Sequence, residues 1–387
     1  MIRKFDRKLV LPDGTEYYGY GFGGGLASGA SSASLSAGSD PSCGIIPGCR
    51  VLELVFNTSM AGYQEILSDP SYTGQAVVMS YPLIGNYGMP EDDYESGGIT
   101  PGALIVREYN LKPSNFRGKI SLGEVLSRHG VPGLEGIDTR SLVRRLRTDG
   151  SMMAAVAPAE LPAGRILPAL KNARPRTDTV PSVSTGRARF VLSENPRFHI
   201  AVIDCGVKEN ILRQMLHGGA DLTVLPWNTG AEQILALQPD GVFISNGPGD
   251  PADVPETEET LRQLIGKLPV FGICLGHQLI ARAMGASTYK LHFGHRGGNH
   301  PVKNLLTGKV EITSQNHSFA VDESTLPGTG LTVTHRNLLD GTVEGLHCPE
   351  KKVFSVQYHP ESAPGPQDSS YLFDEFFTLI LNGARRR

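Results

Sequence analysis

A cysteine held between two glycines at the end of an apolar run is the first pattern in the sequence with chemistry in it. The stretch Pro269-Val270-Phe271-Gly272-Ile273-Cys274-Leu275-Gly276-His277-Gln278 reads as a strand, a sharp bend and a helix start. In such a nucleophile elbow the glycines let the backbone turn tightly and pack closely, so the central side chain is thrust out above the sheet edge. The sulfur of Cys274 then stands at a helix amino end, where the dipole favours negative charge. The amide of Leu275 points into the same space and can donate to an oxyanion. Free cysteines more often serve as buried packing groups, and it is the flanking Gly272 and Gly276 that weigh against that reading.

A thiolate nucleophile needs a base, and the base needs an orienting acceptor. The segment Val353-Phe354-Ser355-Val356-Gln357-Tyr358-His359-Pro360-Glu361 supplies both. In extended chain, positions two apart project to the same side, so Glu361 can meet the imidazole of His359, and Pro360 stiffens that geometry. His-Pro-Glu alone would read as a surface turn. With the elbow upstream it completes a Cys-His-Glu triad, nucleophile first in chain order. A third turn, Ile244-Ser245-Asn246-Gly247-Pro248-Gly249-Asp250-Pro251, has glycines that let amides converge on an anion, which suits the second half of an oxyanion hole.

These turns require a scaffold that brings them together. Strand and helix patterns alternate from His199 onward: strands at 199–204, 222–225, 241–245 and 269–273, with helices at 208–217, 231–237, 256–266 and 277–284. Such alternation implies parallel strands with helices on both faces and ligands at the strands' carboxyl ends. The earlier half reads differently. Lys8 to Phe22 suits a hairpin about Asp13-Gly14, and Val51 to Phe56, Gln75 to Ser80 and Ala103 to Val106 suit strands. Helices are expected there only at Ser121 to His129 and from the cap-like Asp138-Thr139 through Arg147. The expected fold is therefore two domains. The first, 1–156, is α+β and rich in short strands; a helix-containing linker covers 157–196; and 197–387 forms an α/β doubly wound, mostly parallel sheet.

Composition sets the outer limits. The 387 residues are 40% hydrophobic and 19% charged with a net charge of −3, an ordinary globular mixture with length for two cores. A near-neutral balance argues against a nucleic-acid or membrane-surface partner. No apolar run reaches the ~18 residues a membrane helix needs, and the basic amino end lacks a signal peptide's apolar core. Five scattered cysteines suit a reducing, cytoplasmic setting.

Three patterns invite other readings. Gly19, Gly21 and Gly24 match a dinucleotide fingerprint, but no amphipathic helix follows, only a Gly/Ser/Ala-rich excursion over 23–48. Cys43 and Cys49 are spaced too widely for a usual metal pair. His292, His295 and His300 lie in a Gly-rich stretch with basic neighbours, which reads as loop structure, so no metal site is expected.

The three turns together resemble the class I (triad) glutamine amidotransferases. More narrowly, nearly the whole chain resembles the small subunits of carbamoyl phosphate synthetase, through Phe56-Asn57-Thr58-Ser59-Met60-Ala61-Gly62-Tyr63-Gln64-Glu65, Tyr81-Pro82-Leu83-Ile84-Gly85-Asn86-Tyr87-Gly88 and Gly136-Ile137-Asp138-Thr139-Arg140. Phe293-Gly294-His295-Arg296-Gly297-Gly298-Asn299-His300-Pro301-Val302 and Gln315-Asn316-His317-Ser318-Phe319-Ala320 extend the likeness. The resemblance implies that Cys274 attacks the side-chain amide of glutamine, with His359 as base and then acid and Glu361 orienting it. It carries glutamine contacts to Ser59, Gly247, Gly249, Leu275, Gln278, Asn316, Ser318 and Phe319, and Ser59 would set the pocket where the two domains meet. That family usually has glycine where Ser318 stands, so the contact depends on the backbone there not having positive φ. Cys205, where an aromatic is usual, reads as packing.

No phosphate-binding loop is present in the sequence. The resemblance therefore implies no cofactor on this chain and a large-subunit partner that binds ATP, magnesium and bicarbonate and receives ammonia through a tunnel. The carbamoyl phosphate made would serve pyrimidine and arginine synthesis. It also implies a heterodimer, open to higher assembly. The alternatives are a glutaminase subunit of another amidotransferase complex, such as one feeding guanylate or anthranilate synthesis, or a catalytically silent binding subunit.

Overall fold

The computed structural model describes residues 4–26 and 46–384. Most of the 23–48 excursion, Cys43 included, lies outside the described residues. The chain divides into two compact units, Met1–Thr179 and Val180–Arg387.

The first unit is built on strands β1 (Arg7–Val10), β2 (Glu16–Gly23), β3 (Arg50–Asn57), β4 (Gln75–Met79), β5 (Leu83–Ile84), β6 (Ala103–Ile105), β7 (Glu108–Tyr109), β8 (Pro132–Glu135) and β9 (Met152–Pro158). Seven of them close a barrel in the order β1-β2-β8-β6-β4-β3-β9, and β9 pairs back to β1; β5 and β7 form a separate parallel pair. The expected hairpin is present. Leu9 lies opposite Tyr17, and the turn uses Gly14 at φ 90 with the Asp13 carboxylate accepting from the Thr15 amide at 3.0 Å. The expected helices appear as α2 (Leu122–Arg128) and α3 (Thr139–Asp149), with Ser121 and Asp138 as side-chain N-caps. A helix the sequence reading passed over, α1 (Tyr63–Ser68), precedes them. Five of its six residues are buried, and its Ile66 and Leu67 join Tyr72, Val77 and Leu104 in one core, so packing rather than a capping signal makes it helical.

Of the glycines in the dinucleotide-like pattern, Gly19 and Gly21 lie on barrel strand β2 and Gly24 directly follows it. A Cβ on Gly19 would lie 2.3 Å from the Glu135 carbonyl oxygen, and one on Gly24 would lie 2.3 Å from the Gly130 carbonyl carbon. Close strand packing accounts for them without a phosphate. After β9, helix α4 (Ala163–Asn172) lays Ile166 and Leu170 on Val10, Ala155 and Ala157.

Helix α5 (Thr179–Val183) spans the division between the units. The second unit then contains β10 (Arg189–Val191), β11 (Phe198–Asp204), α6 (Glu209–His217), β12 (Ala220–Pro226), α7 (Ala231–Ala236), β13 (Gly241–Ile244), α8 (Pro255–Leu264), β14 (Val270–Ile273) and α9 (Leu275–Ala283). These follow the expected alternation closely. A single ten-stranded sheet runs β10-β12-β11-β13-β14 and continues through β19 (Val353–Val356), β18 (Val343–Cys348), β17 (Thr332–Asn337), β15 (Thr288–Asn304) and β16 (Val310–Val321), with α10 (Tyr371–Ala384) last in the chain.

Strand alternation sorts the apolar side chains onto two faces. Ala201, Ile203, Val242, Ile244 and Val270 share one core with residues of α7, α8 and α9. Ile200, Val202, Phe243, Phe271 and Ile273 share the other with α6 and α10, where Phe271 meets Phe373 and Phe376.

The sheet departs from a mostly parallel one. Only the β12-β11-β13-β14-β19 run is parallel; β10 pairs antiparallel at one edge, and β18, β17, β15 and β16 are all antiparallel at the other. The 285–321 stretch concealed this because β15 is filled with Gly, His and Asn, residues with little strand signal of their own. Pairing with β16 along most of its length, interrupted by two register shifts, imposes the extended form. His292, His295 and His300 therefore lie on a strand, not in the expected loop.

Candidate active site

Register brings Cys274 and His359 to the same sheet edge. Strands β14 and β19 are parallel neighbours with Ile273 opposite Val356, so Cys274 and His359 leave the same sheet edge one and three residues later. The Cys274 amide donates to the Val356 carbonyl at 2.9 Å. Cys274 adopts φ 54 and ψ −105, a strained conformation for a non-glycine residue, as a nucleophile elbow demands. The flanking glycines are sterically required. A Cβ on Gly276 would lie 2.3 Å from the Ile244 carbonyl oxygen, and one on Gly272 would lie 2.8 Å from the Gly276 carbonyl oxygen.

His359 is tied to Ser314 of β16 by its own amide at 2.9 Å, and its Nδ1 donates to Oε1 of Glu361 at 2.7 Å. A carboxylate can only accept, which fixes the proton on Nδ1 and turns Nε2 away from Glu361. Burial pulls the His359 pKa down, but the Glu361 carboxylate and the Cys274 sulfur together overcome it and raise it to about 10. Burial pushes Glu361 up, yet the ammonium of Lys208 and then His359 hold it down at about 2. Cys274, His359 and Glu361 are 2, 3 and 1% exposed, so these charges act on one another with little solvent between them.

Lys208 was not anticipated from sequence. It follows β11 at the carboxyl edge of the sheet, and its Nζ donates to Glu361 Oε1 at 2.9 Å and to the Ser362 carbonyl at 2.6 Å. Asn210 Nδ2 donates to the Glu361 carbonyl at 2.6 Å. Only the position of Lys208 in a strand-to-helix turn signalled it, and an isolated lysine is usually solvated.

The Gly247 turn sits beside the elbow. A Cβ on Gly247 would come within 2.2 Å of the Cys205 carbonyl oxygen and 2.9 Å of Leu275 Cδ2, and Gly249 has φ 89. Among the described residues neither the Leu275 nor the Gly247 amide donates to a protein acceptor, so both remain available to an oxyanion. On β16 the Asn316 carbonyl accepts from the Cys274 thiol at 3.5 Å, which lines that strand against the nucleophile. Ser318 lacks positive φ, so the backbone there accommodates a side chain, and its hydroxyl accepts from Arg296. The Gln278 amide nitrogen is held by the Phe319 carbonyl at 2.9 Å and Gln357 Oε1 at 3.0 Å. Ser59 lies in the first unit just after β3, its amide donating to Asn57 Oδ1 at 2.7 Å. Cys205 is fully buried and its thiol is pushed well up, first by burial, as expected of a packing residue. His277, two residues into the helix motif, is buried and neutral with its Nδ1 against Ser355 Oγ at 2.9 Å, so it is structural.

A parallel sheet carrying a cysteine elbow, a histidine–carboxylate pair on the adjacent strand and free amides beside the sulfur defines the class I glutamine amidotransferase domain. Residues 201–379 match that family, glutamine amidotransferase class-I, and residues 9–156 match the carbamoyl-phosphate synthase small chain, CPSase domain. Curated relatives agree along nearly the full length. The chain is 47% identical over 376 residues to the carbamoyl phosphate synthase small chain of Staphylococcus epidermidis, covering 97% of this chain and 96% of that one. It is 45% identical to that of Fusobacterium nucleatum, covering 98% and 100%, and 50% identical to that of Listeria innocua, covering 85% and 90%. The chain belongs to the family of carbamoyl phosphate synthase small chains, glutamine-hydrolysing enzymes with a class I amidotransferase domain. Among the described residues no helix is long and apolar enough to cross a membrane.

Proposed function

We propose that the chain hydrolyses glutamine through a Cys274 thioester and delivers the ammonia to a carbamoyl phosphate synthase large chain. The proton given up by Cys274 rests on His359, whose raised pKa holds it there, and the sulfur attacks the glutamine carboxamide carbon while the oxygen gains negative charge facing the Leu275 and Gly247 amides. The tetrahedral species collapses as the C–N bond breaks and the imidazolium gives its proton to the departing ammonia. Water, deprotonated by His359, then cleaves the thioester to glutamate and restores the thiol. Glu361, braced by Lys208, holds the ring in the tautomer that presents Nε2.

Glutamine contacts fall on Gly249, Gln278, Asn316, Ser318 and Phe319 around the elbow, and Ser59 is carried over by resemblance alone. The large chain would supply ATP, magnesium and bicarbonate chemistry, in a cytoplasmic assembly of the two chains or a higher oligomer of that pair.

The observation that carries this reading is the His359–Glu361 pair aligned beside a strained cysteine on the neighbouring parallel strand. It also disfavours a silent binding subunit, which has no use for a strained thiol. The test is reconstitution with a large chain. Cys274→Ser should abolish glutamine-dependent carbamoyl phosphate formation and leave ammonia-dependent formation intact. Loss of both, or of neither, contradicts the assignment.

A further inference from the structure

The sheet edge behind the pocket holds a second constellation that glutamine hydrolysis leaves unused. His295 on β15, His317 on β16 and Glu344 on β18 each offer one ligand atom, and these atoms all lie within 4.8 Å of one another. All three side chains are buried, at 6, 5 and 0% exposure. His295 Nδ1 and His317 Nε2 are both buried without a hydrogen-bond partner, which ordinarily costs about 1–3 kcal/mol for each such group. Two orphaned ring nitrogens converging on a buried carboxylate call for something between them.

The outer partners strengthen that reading. His295 uses its other nitrogen, Nε2, to donate to Asp340 Oδ2 at 2.8 Å, and His317 uses Nδ1 to donate to the Phe319 carbonyl at 2.7 Å. Both partners can only accept, so both rings are fixed in tautomers whose inward nitrogens carry lone pairs when the rings are neutral. A carboxylate or a carbonyl behind each imidazole is the arrangement that orients metal-ligating histidines. Glu344 is braced likewise, with Oε1 accepting from Asn337 Nδ2 at 2.9 Å and Oε2 from Gln315 Nε2 at 3.0 Å.

Distances and charge agree. His295 Nδ1 lies 3.7 Å from Glu344 Oε1, close to the roughly 3.4 Å between two donors of a tetrahedral ion with ~2.1 Å bonds. Asp340 and Glu344 act on His295 as negative neighbours, and the Arg296 guanidinium acts on His317. The His300 ring lies 5.2 Å from that of His295 between centroids, outside the three-residue group.

We propose that His295, His317 and Glu344 form a binding site for a divalent metal ion of the zinc class, with a water in the fourth position. The ion would clamp β15, β16 and β18 together directly behind Asn316, whose carbonyl faces the nucleophile. This departs from the expectation of a metal-free chain. The histidines lie on a strand instead of a loop, and folding brings Asp340 and Glu344 to them.

The test uses the full-length Cys274→Ser chain, so that the catalytic sulfur cannot contribute, stripped with chelator and titrated with cobalt(II) alone and then zinc(II) alone. One equivalent of cobalt should bind with the intense visible bands of a four-coordinate ion and no thiolate charge-transfer band, and zinc should displace it and raise the melting temperature. Glu344→Gln and His317→Asn should abolish those bands. Asp340→Asn keeps every ligand and alters a part-exposed residue, so the fold is retained; it should weaken binding about 10–100-fold. No retained metal, leaving a proton as the only cation on His295, would overturn the proposal. So would binding that is indifferent to Asp340→Asn and Glu344→Gln.

Discussion

One carboxylate oxygen of Glu361 serves two cations: Oε1 accepts from Lys208 Nζ at 2.9 Å and from His359 Nδ1 at 2.7 Å. Lys208 and His359 come from turns after different strands of the sheet, so the ammonium braces the acceptor that braces the base. Because all three groups are buried, removing one leaves a charge without its counterpart.

Lys208→Met should lower stability by about 3–5 kcal/mol, the typical cost of breaking a buried pair from one side. It should also slow glutamine hydrolysis more than it raises KM, since Lys208 acts through Glu361. Adding Glu361→Gln to Lys208→Met should cost less than the two single losses summed. Urea denaturation of the four chains of this cycle measures the coupling, and strict additivity would contradict a shared charge network.

The pH dependence of stability has a defined sign at each limb. The folded chain holds the His359 proton more tightly than the unfolded one, so its stabilisation is complete below the ordinary 6.5 and is lost as pH climbs toward about 10. Glu361 behaves oppositely: its stabilisation is complete above the ordinary 4.5 and is lost as pH falls toward about 2. Urea midpoints should therefore fall on the alkaline side with a slope that His359→Gln flattens. An unchanged alkaline slope in that variant counts against a raised His359 pKa.

Two glycine-to-alanine changes should move stability in opposite directions. Gly276→Ala places a Cβ 2.3 Å from the Ile244 carbonyl oxygen, so the elbow must shift. The melting temperature should fall, and hydrolysis should drop about 100-fold if the sulfur moves by ~1 Å. Gly164→Ala lies in α4 with nothing within 4 Å of the new atom, and should stabilise by up to about 1 kcal/mol without changing turnover. Equal behaviour of the two would sink the steric account.

Gly247→Ala tests the oxyanion hole. Its Cβ would press on the Cys205 carbonyl and push the Gly247 amide out of position. Turnover should fall about 10²–10³-fold with KM changed far less, as expected for a donor that acts on the transition state. A variant that only raised KM would assign Gly247 to substrate binding alone.

The bend at Cys274 and the His359–Glu361 pair were legible because their signals are local: paired glycines around Cys274, and a His-Pro-Glu step that sets His359 and Glu361 on one side. The strand–helix alternation from His199 to Met284 was legible for the same reason, since each element carries its own periodicity and stops. What stayed hidden depends on tertiary pairing. Helix α1 forms through its buried face, and β15 is held extended by β16 against its Gly- and His-rich composition. Lys208 meets Glu361 across 153 positions of chain, and Asp340 reaches His295 across 45, distances at which spacing in sequence says nothing.

The most direct test of the central claim is an acid-quenched reaction of the intact chain with glutamine, digested and read by mass spectrometry beside a glutamate-release assay. The account predicts one γ-glutamyl group on the peptide containing Cys274, and neither adduct nor glutamate release from the Cys274→Ser chain. An acyl group on another residue, or undiminished glutamate release without Cys274, would contradict it.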